Sequence, residues 1–339
     1  FRVSFTNVVD DRGPTGDPFP AVSLQSFNGG PTINFGTEAA SSANLLKQRI
    51  INFYDAFKYY TGKHAVTVGA DVDFNKSYNL FMNRALSLYG YNNLGASGPT
   101  QIGSLQAFME DRGPNRLRRG YSLVDANDKG GDLAVNAAAN FSSVRVGFFV
   151  NDDIKVSNKL TITIGLRADK NAFTTAAPTD QFFNDTARPV IASVYNIEGA
   201  VSGGKFQPKW QFSPRIGFKV NLDDEQLTLR GGIGVFGGRT PLVWPGGVYQ
   251  NNGVTIGALD VSGASGTSAA LLNGLPIPFR SNVNNQYTQS DFGLSPTQIK
   301  PQGDMNIVAK NFHLPAVMRG SFGVDNRLGK GWTYNFDLL

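Results

Sequence analysis

Apolar and polar side chains alternate one for one in segments spread along this 339-residue chain, and that period of two constrains the fold more than any other feature. In 65–75, Val66, Val68, Ala70, Val72 and Phe74 fall on one face; Thr67, Gly69, Asp71, Asp73 and Asn75 fall on the other. In 160–169, Leu160, Ile162, Ile164, Leu166 and Ala168 oppose Thr161, Thr163, Gly165, Arg167 and Asp169. Leu227, Leu229, Gly231, Ile233 and Val235 alternate with Thr228, Arg230, Gly232 and Gly234; Trp332, Tyr334, Phe336 and Leu338 with Thr333, Asn335 and Asp337. Helices of period 3.6 cannot carry such a pattern, whereas strands place successive side chains on opposite faces.

The same reading predicts strands near 1–9, 48–60, 64–77, 142–156, 160–173, 207–222, 226–240, 315–328 and 332–339. The segment 44–60 also suits a helix, through Leu46, Ile50, Phe53 and Phe57. The Gly62-Lys63 turn into a clean strand favours the strand.

The connections set the architecture. Those at 61–64, 157–159, 223–225 and 329–331 are tight, and those at roughly 10–47, 78–141, 174–206 and 241–314 are long. Tight and long alternate strictly, so in an antiparallel meander every long connection lies at one end. Short turns at one rim and long loops at the other are the pattern of an outer-membrane barrel, with the short turns periplasmic. A soluble sandwich could show similar alternation, but loops beyond ~12–15 residues are uncommon in compact soluble domains. The expectation is therefore an all-β, antiparallel transmembrane β-barrel in the bacterial outer membrane. Both ends fall inside a strand pattern and the strand count is odd, so an incomplete portion of a longer barrel is expected.

Composition agrees. Charged residues make up only 17%, aromatics reach 12%, and there are 39 glycines, a mixture suited to strands, turns and aromatic girdles. The absence of cysteine removes disulfides, Cys-based zinc sites and thiol nucleophiles. A net charge of +5 without a dense basic run argues against nucleic-acid binding; the strongest cluster is Arg116, Arg118 and Arg119. No stretch approaches the ~20 apolar residues of a membrane helix, which does not bear on barrel strands.

Several motifs, in order, carry a family resemblance. Phe212-Ser213-Pro214-Arg215-Ile216-Gly217-Phe218 precedes a turn and then Leu229-Arg230-Gly231-Gly232-Ile233-Gly234-Val235-Phe236-Gly237-Gly238-Arg239-Thr240-Pro241. Around them lie Tyr59-Tyr60-Thr61-Gly62-Lys63-His64, Phe149-Val150-Asn151-Asp152-Asp153-Ile154-Lys155-Val156, Gly165-Leu166-Arg167-Ala168-Asp169, Pro241–Trp244 leading to Asn251-Asn252-Gly253, and Asn311-Phe312-His313-Leu314-Pro315 with Arg319 and Asp325. Together they resemble the central barrel of TonB-dependent receptors, especially the Oar-like branch common among Bacteroidota. That resemblance implies a barrel of about 22 strands around a plug. It further implies uptake of a scarce solute driven by the TonB complex, with surface lipoproteins or other outer-membrane assemblies as further partners. It covers nearly all the strands and is weak in the loops, and no plug, TonB box or N-terminal domain is among these residues. The alternative function for the same strands is a non-transporting barrel for adhesion, scaffolding or secretion-associated assembly.

Candidate residues follow from strand parity. Arg167, Arg215, Arg230 and Arg319 fall on polar faces, where they can pair with Asp71, Asp73, Asp169 and Asp325 or contact a plug. A structural ion-pair network in a wet lumen is the simpler reading. Phe81, Tyr89, Tyr91, Phe182 and Tyr249 lie in loops and could stack on a small-molecule or oligomeric ligand, or be buried by loops that fold down. Trp210, Trp244, Trp332, Tyr59, Tyr60 and Phe212 fit the aromatic belts at the bilayer interfaces.

Catalytic and cofactor readings are weak. Gly232-Ile233-Gly234 lacks the third glycine and the helix of a dinucleotide loop. His64 and His313 lie far apart, with no zinc pattern and no nucleophile elbow. Asp10, Asp11 and Asp17, and Asp125 with Asp128, lack the ordered calcium-loop spacing. No enzyme activity, cofactor or metal is expected.

Overall fold

The computed structural model describes residues 1–25, 31–40, 42–94, 101–125, 137–222, 226–262, 275–292, 305–329 and 331–339. In chain order the elements are β1 (Arg2–Asp11), β2 (Ala21–Leu24), β3 (Ile33–Phe35), β4 (Asn44–Thr61), β5 (His64–Phe81), β6 (Leu88–Tyr91), α1 (Ser104–Met109), β7 (Arg116–Ser122), β8 (Ala139–Lys155) and β9 (Leu160–Phe173). Then follow α2 (Arg188–Val194), β10 (Gln211–Leu222), β11 (Leu227–Gly237), α3 (Val243–Gln250), β12 (Ile256–Ser262), β13 (Ala316–Gly329) and β14 (Trp332–Leu338).

Nine strands form one antiparallel sheet in the order β1-β4-β5-β8-β9-β10-β11-β13-β14. They are the nine that alternation predicts, with ends displaced by a few residues. The sheet is not closed: β1 and β14 are its edges. The ambiguous segment 44–60 is a strand. Its turn closes with Thr61 opposite His64, and Gly62 takes φ +55°, the left-handed region that glycine enters without strain. The turn expected at 223–225 lies outside the described residues, as does residue 330.

Burial in this sheet is inverted relative to a soluble protein. Asp73 (6% exposed), Asn75, Ser77 (1%), Asn52, Ser143, Asn171 and Ser213 are buried on the inward face. On the outward face Phe74 (47%), Phe148 (54%), Ile164 (50%), Phe212, Ile216, Ile233 and Phe336 are exposed. Leaving a large apolar side chain in water forfeits roughly 1.5–3 kcal/mol each. A whole face of them is stable only against an apolar medium, as on the lipid side of a barrel.

The chain leaving β11 crosses the inward face. Arg239, two residues past β11, reaches Asp73 at 3.5 Å on β5, four strands away in the sheet order.

A second sheet, in the order β12-β7-β6-β2-β3, is built from three of the four long connections. β2 pairs with β6 in parallel and the other neighbours are antiparallel. Val22, Leu24, Tyr89, Tyr91, Leu117, Tyr121 and Leu259 form its core with Ala107 of α1. The fourth connection contributes helical turns at Phe183–Ala187 and α2.

Candidate functional site

The lumen face of β5, β8 and β9 carries an ion-pair network. Arg145 on β8 donates from Nε to Asp73 at 2.8 Å, from Nη1 to Asp169 at 2.8 Å, and from Nη2 to Asp71. Arg167 on β9 donates from Nη2 to Asp71 and to Asp169, both at 2.6 Å, and from Nε to Asp169 at 2.7 Å. Asn52 on β4 donates to the remaining Asp73 oxygen at 2.7 Å. Register explains the gathering. Asp71 and Asp169 stand opposite the same residue, Gly147, from either side. A β-carbon on Gly147 would collide with both carboxylates and with the Arg167 guanidinium, so glycine leaves the space that the network fills.

A second pairing lies further round. Arg230 on β11 binds Asp325 on β13 at 2.9 Å and Asp337 on β14 at 2.8 Å, and Asn335 donates to Asp325 at 2.7 Å. Arg215 and Arg319 behave differently. Both stand opposite Gly234, and neither forms an ion pair among the described residues. The Arg215 guanidinium lies 5.5 Å from the centre of the Phe236 ring. The two arginines line one cavity of about 840 Å³ with Thr163 and Ser321.

The chain after β11 turns inward over this face. Arg239 touches the network at Asp73, and α3 then packs on β8. There the ring of Tyr249 stacks on Phe141 with centroids 4.8 Å apart and 11° between planes. Phe141 shares the inward parity of Ser143 and Arg145, so α3 lies inside the mouth. Beneath it Gln48, Asn75, Arg145, Asn171, Arg239 and Thr240 help line a cavity of about 270 Å³.

Several expectations need correction. Tyr89 and Tyr91 are fully buried (0% exposed) in the loop-sheet core, and burial pushes both hydroxyls well above the ordinary tyrosine range. Tyr89 donates to Gln286 at 2.8 Å. Tyr249 is buried against Phe141, donates to the Thr175 carbonyl, and is pushed up to about 12. These three rings pack the loops together and offer no face to a ligand. Phe81, at the end of β5, and Phe182 (73%) remain exposed. Trp244 is in α3 against Phe312, not in a belt, and Tyr60 shares the inward parity of Asn52, where Lys58 lies over its ring.

Sequence reasoning missed Arg145, the hub of the network. Its parity with Ser143 and Gly147 was the available signal. His64 sits at the short-turn rim with Nδ1 2.6 Å from Asp152. Asp10 binds Arg12 at 2.9 Å, and Asp128 lies outside the described residues. Among the described residues no group of three or more His, Cys, Asp or Glu side chains is placed to hold a metal ion.

Comparison with known proteins bears on this arrangement. The profile described as outer membrane beta barrel domain matches residues 2–337. No curated protein matches the sequence. A solved structure described as the CymD monoaromatic hydrocarbon channel is similar at 12% identity, over 99% of this chain and 73% of that one, with a TM-score of 0.28. At that score the likeness carries no argument about this chain.

Proposed function

Because this chain belongs to the outer membrane β-barrel domain family and resides in the outer membrane, we propose that it supplies wall and extracellular loops to an active importer of the TonB-dependent receptor type. The observation that carries this reading is the roofed, charge-lined lumen. Arg145 and Arg167 fix one arc of the wall, and α3 packs across its inward face at Phe141. A general pore would leave that path open. In this reading the edges β1 and β14 pair with further strands, since unpaired backbone groups cost several kcal/mol each in lipid. Members of the Oar-like branch in Bacteroidota would be its relatives, and the TonB complex and a surface lipoprotein its partners. No catalytic role or cofactor is assigned.

Arg215 and Arg319, without carboxylate partners among the described residues, favour an anionic solute over a neutral one. The test is uptake by cells lacking the gene, supplied with limiting siderophore-bound iron, cobalamin, oligosaccharide or peptide. One of these should fail to enter, and its entry into wild-type cells should stop when the proton-motive force is dissipated. Entry that survives an uncoupler would sink the energised reading. Normal uptake with lost surface attachment would favour an adhesion role.

A further inference from the structure

The outward face carries a group of cations that no carboxylate offsets among the described residues. Arg49 on β4 stands directly opposite Lys76 on β5, and Lys47 stands opposite Tyr78, with its Nζ 5.9 Å from the ring centre. Like charges directly opposed across an antiparallel pair are destabilising. Among the described residues none of Lys47, Arg49 and Lys76 forms an ion pair, whereas the inward Arg145, Arg167 and Arg230 each bind at least two carboxylates. On the flanking strands Arg49 and Lys76 meet Asn7 and Ser142. The outward carboxylate at the end of β1, Asp11, stands opposite Leu45 and is not bonded to Lys47.

The residues beneath complete the pattern. Moving from the long-loop rim toward the short turns, the next rows are Ile51 opposite Phe74 and Phe53 opposite Val72. The Phe53 and Phe74 rings meet edge to face at 6.1 Å. Ile51, Phe53 and Phe74 are exposed on the lipid side, and Val72 is half-buried. The long loops mark this end as extracellular. The column therefore runs from aromatic and branched side chains at acyl depth to three cations at headgroup depth. All of these strand neighbours on β1, β4, β5 and β8 are among the described residues.

We propose that Lys47, Arg49 and Lys76 bind the phosphate groups of an anionic lipid in the outer leaflet, with its acyl chains against Ile51, Phe53 and Phe74. Clustered cations attract anionic headgroups at a membrane surface, and charge-assisted bonds to phosphate match guanidinium and ammonium donors. The lipid phosphates offset the repulsion between Arg49 and Lys76 and hold the extracellular end of the β4–β5 hairpin at a fixed depth.

The test uses the full chain in neutral detergent, with a bisphosphorylated, multiply acylated glycolipid as probe and its dephosphorylated counterpart as control. Native mass spectrometry reads retained lipid. The phosphorylated probe should be retained and the dephosphorylated one lost, and R49Q/K76Q should weaken retention on the order of tenfold. The charge-keeping R49K/K76R should retain it. Equal retention of both lipids by the unaltered protein would overturn the site, and this comparison needs no variant to fold. Unchanged retention by folded R49Q/K76Q would also overturn it. Displacement of the lipid by millimolar inorganic phosphate alone would show a free-anion site in place of a lipid one.

Discussion

Gly147 on β8 stands directly opposite Asp71 on β5, and a side chain there would occupy the space that the Asp71 carboxylate and the Arg167 guanidinium now share. The network thus depends on a residue that takes no part in its bonds. Gly147→Val should scatter it, and Arg145→Met should leave Asp71, Asp73 and Asp169 with only Arg167 and the outlying Arg239. Removing one partner from a buried set of charges typically costs about 3–5 kcal/mol. Equilibrium unfolding in urea from lipid vesicles should show both losses. A shift below about 1 kcal/mol for either would mean that the lumen is too wet for the network to matter.

Adjacent residues of opposite parity offer a direct check on which face meets lipid. Phe322 points outward and Ser321 inward on β13, opposite Gly231 and Gly232. A lysine on the lipid face costs up to about 2–4 kcal/mol near the midplane, while lumen positions tolerate charge. Phe322→Lys should therefore lower folding yield into vesicles and Ser321→Lys should not. Equal effects would contradict the assignment of faces.

The loop sheet should respond to acid through Asp260. The Arg116 guanidinium, bonded to it at 2.7 Å across β7 and β12, holds its carboxyl below the ordinary value, against a smaller upward push from burial. A carboxyl so depressed stabilises the folded form above its unfolded value of about 3.9, and that contribution is lost as pH falls through the lower folded value. Protease nicking of the loops should rise below about pH 4, and Asp260→Asn should show raised nicking at neutral pH with a flatter acid response.

Tyr89 tests whether the loops are packed or merely draped. Tyr89→Phe removes the bond to Gln286 and should cost about 1 kcal/mol. Tyr89→Ala empties the core and should cost roughly 3–5 kcal/mol, by analogy with other large aromatics. Both should appear as faster cleavage within 10–47, 78–141 and 241–314 together, with the wall strands intact. Cleavage confined to one loop would show that the sheet does not act as a unit.

The wall was legible because lipid and lumen sort side chains with a strict period. Val68, Val72 and Phe74 declare one face, and Asp71, Asp73 and Asn75 the other, without reference to distant partners. The charged residues were legible by parity, apart from Arg145, whose importance comes from Asp71, Asp73 and Asp169 on neighbouring strands that no local pattern joins. The loops were not legible. β2 and β3 are too short to show a period, and β2 pairs with β6, more than sixty positions away in the sequence. Tyr89 and Tyr91 look like ligand platforms in the sequence because burial is a property of three loops meeting, not of either tyrosine.

The parallel pairing of β2 with β6 makes the surface crown a single woven object. Insertions, epitope changes or recombination in any one of its three contributing segments must preserve the weave made by the other two, so these segments are bound to diversify in concert. The 174–206 excursion lends no strand to that weave. It is tied instead to the 241–314 connection, through Tyr249 to the Thr175 carbonyl and the Val201–Val308 bridge, so its changes are coupled to that one segment alone.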